Sequence, residues 1–289
     1  MLRSMYSGIS GMKNFQNKLD VIGNNIANVN TYGFKKGRIT FKDISYQTIS
    51  GASAGTGQLG GTNGKQIGLG SAISSIDNIH TQGSSQTTGR TLDLAVQGEG
   101  YFIVKQGNNS FYTRDGNFTL DKDGFLVNSS GYKVQGYSGL NNGPTTTDLK
   151  IDVNTLYTAD PVPPPGVTPP GTSKLVSYTI GATGVITGVL ENGGTATLGT
   201  ITLAKFANTG GLMHEGNNVW SKSVNSGNPT ISIPGDGIGT IQAGTLEMSN
   251  VDLSEEFSEM IIAQRGFQAN SRIITTSDQI LEELVNLKR

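Results

Sequence analysis

The chain has 289 residues, with 21 basic against 22 acidic side chains and a formal net charge of −1; a polyanionic partner has little to hold here, so no nucleic-acid ligand is expected. Only 15% of the residues are charged while glycine occurs 41 times, a turn-rich composition with a neutral surface that meets copies of itself without large charge penalties. The absence of cysteine excludes disulfides, thiolate metal sites and cysteine nucleophiles. No apolar run is long enough to span a bilayer, and MLRSMYSGISGMKNF lacks the apolar core of a secretory signal, so neither membrane insertion nor a cleaved leader is expected.

The first thirty residues carry helical periodicity. Met5, Met12, Leu19 and Ile26 recur every seven residues, flanked by Leu2, Ile9, Phe15 and Ile22, which makes one apolar stripe. Gly8, Gly11 and Gly23 interrupt it, each costing ~1 kcal/mol relative to alanine. Either the helix breaks there, or Ser4, Ser7, Gly8 and Gly11 form a small-residue face that another helix approaches closely. The heptad keeps its phase through the glycines, which favours the second reading. Asn24, Asn25, Asn28 and Asn30 then crowd the helix end in GNNIANVNTYGFKK, although asparagine amides compete with a helix for backbone partners. Lys35, Lys36, Arg38 and Lys42 follow, interleaved with Tyr32, Phe34 and Phe41. They read as a solvated basic face beside aromatic anchors. A second reading has this basic group dock against Glu255, Glu256 and Glu259 of an adjacent subunit.

The Gly-, Ser- and Thr-rich stretch 51–70 reads as a long flexible connection. From residue 91 to 138 short apolar runs alternate with the turn signals GNN, DG, KDG and SSG, the spacing of β-hairpins. Residues 205–246 continue in that style, and between them DPVPPPGVTPPG reads as a stiff proline-rich spacer leading into a second β-like segment, KLVSYTIGATGVITGVL. The last forty residues are helical again: Leu253, Met260, Phe267, Ile274 and Leu281 are spaced at seven, with Phe257, Ile261, Leu284 and Val285 beside them. Ser249 with Asp252, or Asp252 with Glu255, forms a capping pair. Glu255, Glu256 and Glu259 lie at the positive end of that helix dipole, and Lys288 and Arg289 at the negative end.

The expected class is therefore α+β: long N- and C-terminal helices forming a coiled-coil-like core (1–31 and 250–289), a connecting strand and loop (32–75), an all-β middle domain (76–143 and 205–249) and a smaller inserted β domain (144–204). Helices of this length extend roughly 40 to 54 Å, more than a domain of this size buries, so their stripes call for partners.

Catalytic chemistry finds no foothold, and no cofactor is expected. GTGQLG at Gly55–Gly60 has the GxGxxG spacing but neither the strand before it nor the helix after it. DKDG at Asp121–Gly124 departs from a calcium loop, with Thr119 and Tyr132 where ligands belong, and reads as a tight hairpin turn. His80 and His214, the two histidines, cannot build a His-rich metal site, no GxSxG elbow occurs, and Trp220 reads as a core or edge anchor.

LDVIGNNIANVNTYGFKKGRITFKDI resembles the N-terminal signature of bacterial flagellar rod and hook proteins, and GTLEMSNVDLSEEFSEMIIAQRGFQANSRIITTSDQILEELVNL resembles their C-terminal signature. LDLAVQGEGYFIV and FYTRDGNFTLDKDGFLVNSSGYKVQGY are similar to that family's β domain. The resemblance implies a structural axial subunit, not an enzyme, exported unfolded by the flagellar type III apparatus without a leader. It implies a homo-oligomeric helical tube, with terminal helices packed around a central channel, β domains outside and residues 144–204 outermost. Rod, hook-cap and hook–filament junction proteins are the implied partners, and the extracellular hook and basal body the implied location. GNNVWS, the EMSNVDLSEEF join and the VNLKR ending look more like a hook than a distal-rod subunit, so the hook is the expectation and the distal rod the alternative. A secreted β-rich binding protein or wall-active enzyme is the rival from another class. In the axial reading Asn24, Asn25 and Asn28 bond backbone across a subunit contact, using two donors and an acceptor each, while Gly33 supplies a turn and Tyr32, Phe34 and Phe41 secure the strand that follows; alternatively Asn28 and Asn30 simply terminate the helix.

Overall fold

The computed structural model describes residues 2–55, 60–139, 146–152, 157 and 173–287. Most of GTGQLG, the proline-rich spacer, Lys288, Arg289 and the side chain of Leu2 lie outside the described residues. The chain divides into two compact units, one of residues 1–28, 36–79 and 251–289 and the other of 29–35 and 80–250.

In the first unit α1 (Leu2–Ala27) runs unbroken through its three glycines, antiparallel to α2 (Leu253–Asn286). Gly8 faces Ile274, Gly11 faces Asn270, and Lys18 pairs with Glu259. The helices meet along small and polar side chains. A Cβ placed on Gly11 would lie 2.8 Å from Asn270 Nδ2, and one on Gly266 2.6 Å from the Phe15 ring. Gly8 and Gly11, which penalise an isolated helix, are thus where the second helix comes close, as the small-residue face predicts, whereas Gly23 is exposed, with nothing within 4 Å of a Cβ placed there. Asp252 caps α2, its Oδ1 accepting from the Ser254 N–H at 2.8 Å and the Glu255 N–H at 3.4 Å, with Glu255 and Glu256 in the first turn.

The same unit holds a β-ribbon. Strand β1 (Gly37–Asp43) pairs antiparallel with β4 (Ser71–Asn78), and β2 (Tyr46–Ser50) with β3 (Lys65–Gly68). A bridge between Ser53 and Thr62 carries the pairing further toward the tip. Strands therefore enter a stretch expected to be a flexible connection. Tyr46 faces Gly68, Gln47 faces Ile67 and Thr48 faces Gln66 across the pair, with Gln66 Nε2 donating to Thr48 Oγ1 at 3.2 Å, and such cross-strand pairs fix a hairpin even where glycine dominates the flanks. All residues of β2 and β3 are exposed.

The second unit is built on an antiparallel sheet. Its path runs through strands Leu175–Ile180, Val185–Leu190, Thr195–Ile201, Lys133–Ser138, Tyr101–Gln106, Asn109–Thr113, Val219–Ser221 and Met213–Gly216. The run YFIV at 101–104 is buried on both sides. Successive side chains point to opposite faces of a strand, so Phe102 and Val104 join one core with Leu94, Phe118, Leu126 and Ile201. Tyr101 and Ile103 join a second core with Tyr112, Phe206 and Trp220. The expected turns fall into place: KDG closes the hairpin between Thr119–Leu120 and Leu126–Val127, with the Gly124 N–H donating to Asp121 O at 2.9 Å. Trp220 is a core anchor, 1% exposed.

The segment expected as a smaller inserted domain shares this sheet and this core. Thr195–Ile201 pairs with Lys133–Ser138, and Leu175, Ile180, Ile186 and Leu190 pack in the cluster that holds Phe102. The proline-rich composition before it suggested a boundary, but sheet pairing and apolar burial continue on its far side.

Candidate assembly interface

Within the first unit, burial on the two helices sorts by row. On α2 the seven-spaced positions Glu256, Ala263 and Ser277 are buried and Asn270 is half-buried; on α1 the buried positions are Gly8, Gly11, Asn14, Ile22 and Asn25. Apart from Ile22 these are small or polar residues, and Phe15 and Ile274 reach into the seam against Gly266 and Gly8. The other apolar heptad positions stand beside it. Met5, Met12, Leu19, Ile26, Met260, Phe267, Ile274 and Leu281 are half-buried, while Ile9, Leu253, Phe257 and Val285 are exposed. Apolar positions outside the expected set are exposed too, among them Tyr6 at 68% and Ile262 at 57%. Ile273, Ile280 and Leu287 form a further exposed row spaced at seven, a signal that periodicity carries but that the stronger Met260–Leu281 row hides. Contiguous apolar rows left open on paired helices are surfaces that a monomer does not cover.

The asparagines find partners inside their own chain. Asn25 is 2% exposed; its Nδ2 donates to Gly37 O at 2.9 Å and to Glu256 Oε2 at 3.1 Å, and its Oδ1 accepts from the Gly37 N–H at 2.9 Å. Asn28 closes the helix end, with Nδ2 donating to Asn24 O at 2.9 Å. Asn14 Nδ2 donates to Ser71 Oγ at 2.8 Å. An amide that bonds both ways to a backbone group satisfies a chain leaving a helix for a strand, and for Asn25 that partner is β1, not a neighbouring subunit. The acidic start of α2 is likewise met from within: Lys36 pairs with Glu255 at 2.7 Å and Lys18 with Glu259. Both pairs are partly exposed and each contributes about 0 to 1 kcal/mol. They border a half-open groove of about 350 Å³ lined by Val21, Ile22, Ile39 and Ile79 as well as these charges.

Tyr32, Phe34 and Lys35 belong to the second unit. Gly33, at φ +68°, donates its N–H to Glu247 O at 2.8 Å, and a Cβ there would sit 2.6 Å from the Asp115 nitrogen; the turn needs glycine both for its dihedral and for its closeness. Phe34 is buried, and Tyr32 is half-buried with its carbonyl accepting from Asn218 Nδ2 at 3.3 Å. Lys35, expected on a solvated face, is 2% exposed and donates to Glu247 Oε1 at 2.5 Å. Burial holds its ammonium below the usual lysine range, against the pull of Glu247.

His80 and His214, expected in loop-like surroundings, both pack edge-on against Trp220, with ring centroids 4.9 and 4.5 Å away. His80 Nδ1 lies 2.8 Å from the Tyr101 hydroxyl. Burial, helped by the nearby Lys35 and Arg114 charges, lowers His80 to about 4, and burial raises Tyr101 to about 12. Neither ring has the carboxylate or thiolate company of a catalytic or metal centre; among the described residues no group of three histidines, aspartates or glutamates could hold a metal. No helix among them is long and apolar enough to cross a membrane.

Paired terminal helices with open apolar rows, in a chain whose middle is β-rich, are the architecture of a structural subunit that polymerises. Three family models match the chain: "Flagella basal body rod protein" over residues 5–35, "Flagellar hook protein FlgE/F/G D1 domain" over 95–188 and "Flagellar basal body rod FlgEFG protein C-terminal" over 242–287. The chain belongs to this family of flagellar rod and hook proteins, which are structural proteins and not enzymes. It is 53% identical over 291 residues to the flagellar basal-body rod protein FlgG of Bacillus subtilis, and 35% identical over 295 residues to that of Borreliella burgdorferi. It is also 34% identical over 441 residues to the flagellar hook protein FlgE of Borreliella burgdorferi. Each of these alignments covers all of both chains.

Proposed function

We propose that the chain is a subunit of the flagellar rod, in its distal part, and that copies of it polymerise into a hollow helical tube that carries torque outward from the motor. The observation behind this reading is the match in length as well as in identity. The Bacillus rod protein aligns end to end over 291 residues, against 289 here, whereas the hook proteins of Borreliella and Treponema pallidum need 441 and 463. A hook relative thus carries additional sequence within the alignment that this chain lacks, and the expectation of a hook subunit gives way to the rod. GNNVWS and the EMSNVDLSEEF join, which pointed to the hook, sit in a turn and at a helix cap, where local geometry demands asparagine, glycine and aspartate in either kind of subunit.

In this reading the open rows on α1 and α2 meet the same rows of neighbouring copies, adding a coiled-coil-like layer around the channel. Other rod proteins and the hook lie at the two ends of the segment, and the subunits leave through the flagellar export apparatus. Deleting the gene tests the assignment. Basal bodies purified from the deletion strain should show a shortened rod and no hook. A full-length rod without a hook would return the chain to the hook.

A further inference from the structure

The chain enters or leaves the second unit at four places, next to residues 28/29, 35/36, 79/80 and 250/251. Segments beside those points meet at one buried cluster inside the unit, where Glu247 pairs with both Lys35 and Arg114. Lys35 Nζ donates to Glu247 Oε1 at 2.5 Å and to Thr81 O at 2.8 Å. Glu247 Oε1 also accepts from the Gly83 N–H at 2.9 Å, its Oε2 accepts from Arg114 Nη1 at 3.1 Å, and its main-chain carbonyl holds the Gly33 N–H. Asn250 Nδ2 donates to Thr81 Oγ1 at 2.9 Å, tying the last segment to the third. The side chains of Lys35 and Glu247 are 0% and 1% exposed.

We propose that the Lys35–Glu247 pair is a lock that fastens these entering and leaving segments to one another, so that they open together or not at all. A carboxylate and an ammonium taken out of water hold only while both are present and their remaining bonds are made. Here those remaining bonds are drawn from different segments: a carbonyl at 81, an N–H at 83, and Arg114 from the sheet. The lock is therefore distinct in kind from the apolar cores, which tie the sheet to itself. Its use rests on the rod reading: in a subunit under torque, force arriving along any one segment is shared by all of them before any strand peels. Its existence does not rest on that reading, since it is tested on the free chain.

The test is amide hydrogen exchange on the full-length monomer, comparing the parent with Lys35→Met, which keeps the length of the side chain without its charge, and with Glu247→Gln. Lys36→Met, whose partner Glu255 is exposed, is the control. Exchange over residues 29–35, 80–84 and 245–250 should rise together by about 100-fold in both lock variants, as expected when a buried pair loses one member. Tyr101–Gln106 should stay protected, and the control should match the parent. Faster exchange confined to 29–35 would overturn the proposal, because the segments would then be held separately. So would equal loss of protection at Tyr101–Gln106 in Lys35→Met, because the pair would then be an ordinary part of the sheet's core. An apparent failure of the rod assignment leaves either result unchanged.

Discussion

At the scale of single residues, burial in this chain acts most strongly on groups that would rather be charged. His80 is the clearest case. It packs against Trp220 and faces the Tyr101 hydroxyl, with Lys35 and Arg114 close enough to oppose a further positive charge. In the fold it takes up a proton only near pH 4, against 6.5 in an unfolded chain. The unfolded state therefore binds the proton first as pH falls. The stability that a neutral His80 allows is fully present above pH 6.5 and declines from there toward 4. Between pH 6.5 and 5, urea unfolding followed by the fluorescence of Trp220, the single tryptophan, should show a loss of about 2 kcal/mol. His80→Gln should remove most of that slope. An equal slope in the variant would assign it to other groups.

At the scale of elements, the terminal helices show what periodicity can and cannot tell. Every seventh-residue row named from the sequence exists as a row in the structure, and the phase of α1 through Gly8 and Gly11 was a sound guide to close packing. What periodicity did not reveal is which row faces the partner helix. The buried row is Glu256, Ala263, Asn270 and Ser277, invisible to a search for apolar residues, while the apolar rows stand aside or outside. Small residues let the two backbones approach, and the larger Phe15 and Ile274 fit only because Gly266 and Gly8 stand opposite them. The β-ribbon was hidden for a different reason: strands of four and five residues between glycine-rich flanks carry too little pattern to register, and pairing across the ribbon supplies the order. Lys35 was misread because a basic cluster is ordinarily solvated, and its burial depends on Glu247, more than two hundred residues away in sequence, and on the Thr81 carbonyl. The open rows lead to a prediction. Phe257 is 50% exposed, so Phe257→Asp should change monomer stability by no more than ~0.5 kcal/mol yet abolish tube formation, as followed by sedimentation and electron microscopy. Tubes of normal length from this variant would take Phe257 out of the assembly contact.

At the scale of the whole molecule, the parts share one logic. The first unit carries most of the exposed apolar surface, on α1, on α2 and along the ribbon at Tyr46, Ile49 and Ile67. The second unit buries its apolar residues in two cores on opposite faces of one sheet. A chain so divided has one part that buries its own apolar residues and another that leaves apolar rows open, which neighbouring copies cover in the proposed rod, and its nearly neutral charge raises little long-range repulsion between copies. That division was legible in outline, since the helical ends and β middle follow from periodicity and turn spacing. The choice between rod and hook was not, because a single C-terminal family model, named for FlgE, FlgF and FlgG together, covers the last helix, and what separates the relatives is alignment length. The most direct measurement places the protein in the organelle. With no native cysteine, Ser173→Cys gives a single site for maleimide-gold. Hook–basal bodies purified from cells carrying that variant as their only copy can then be imaged by electron microscopy. Gold along the straight rod, below the start of the hook, is the predicted result. Gold along the curved hook, or none on the axial structure, would contradict the account.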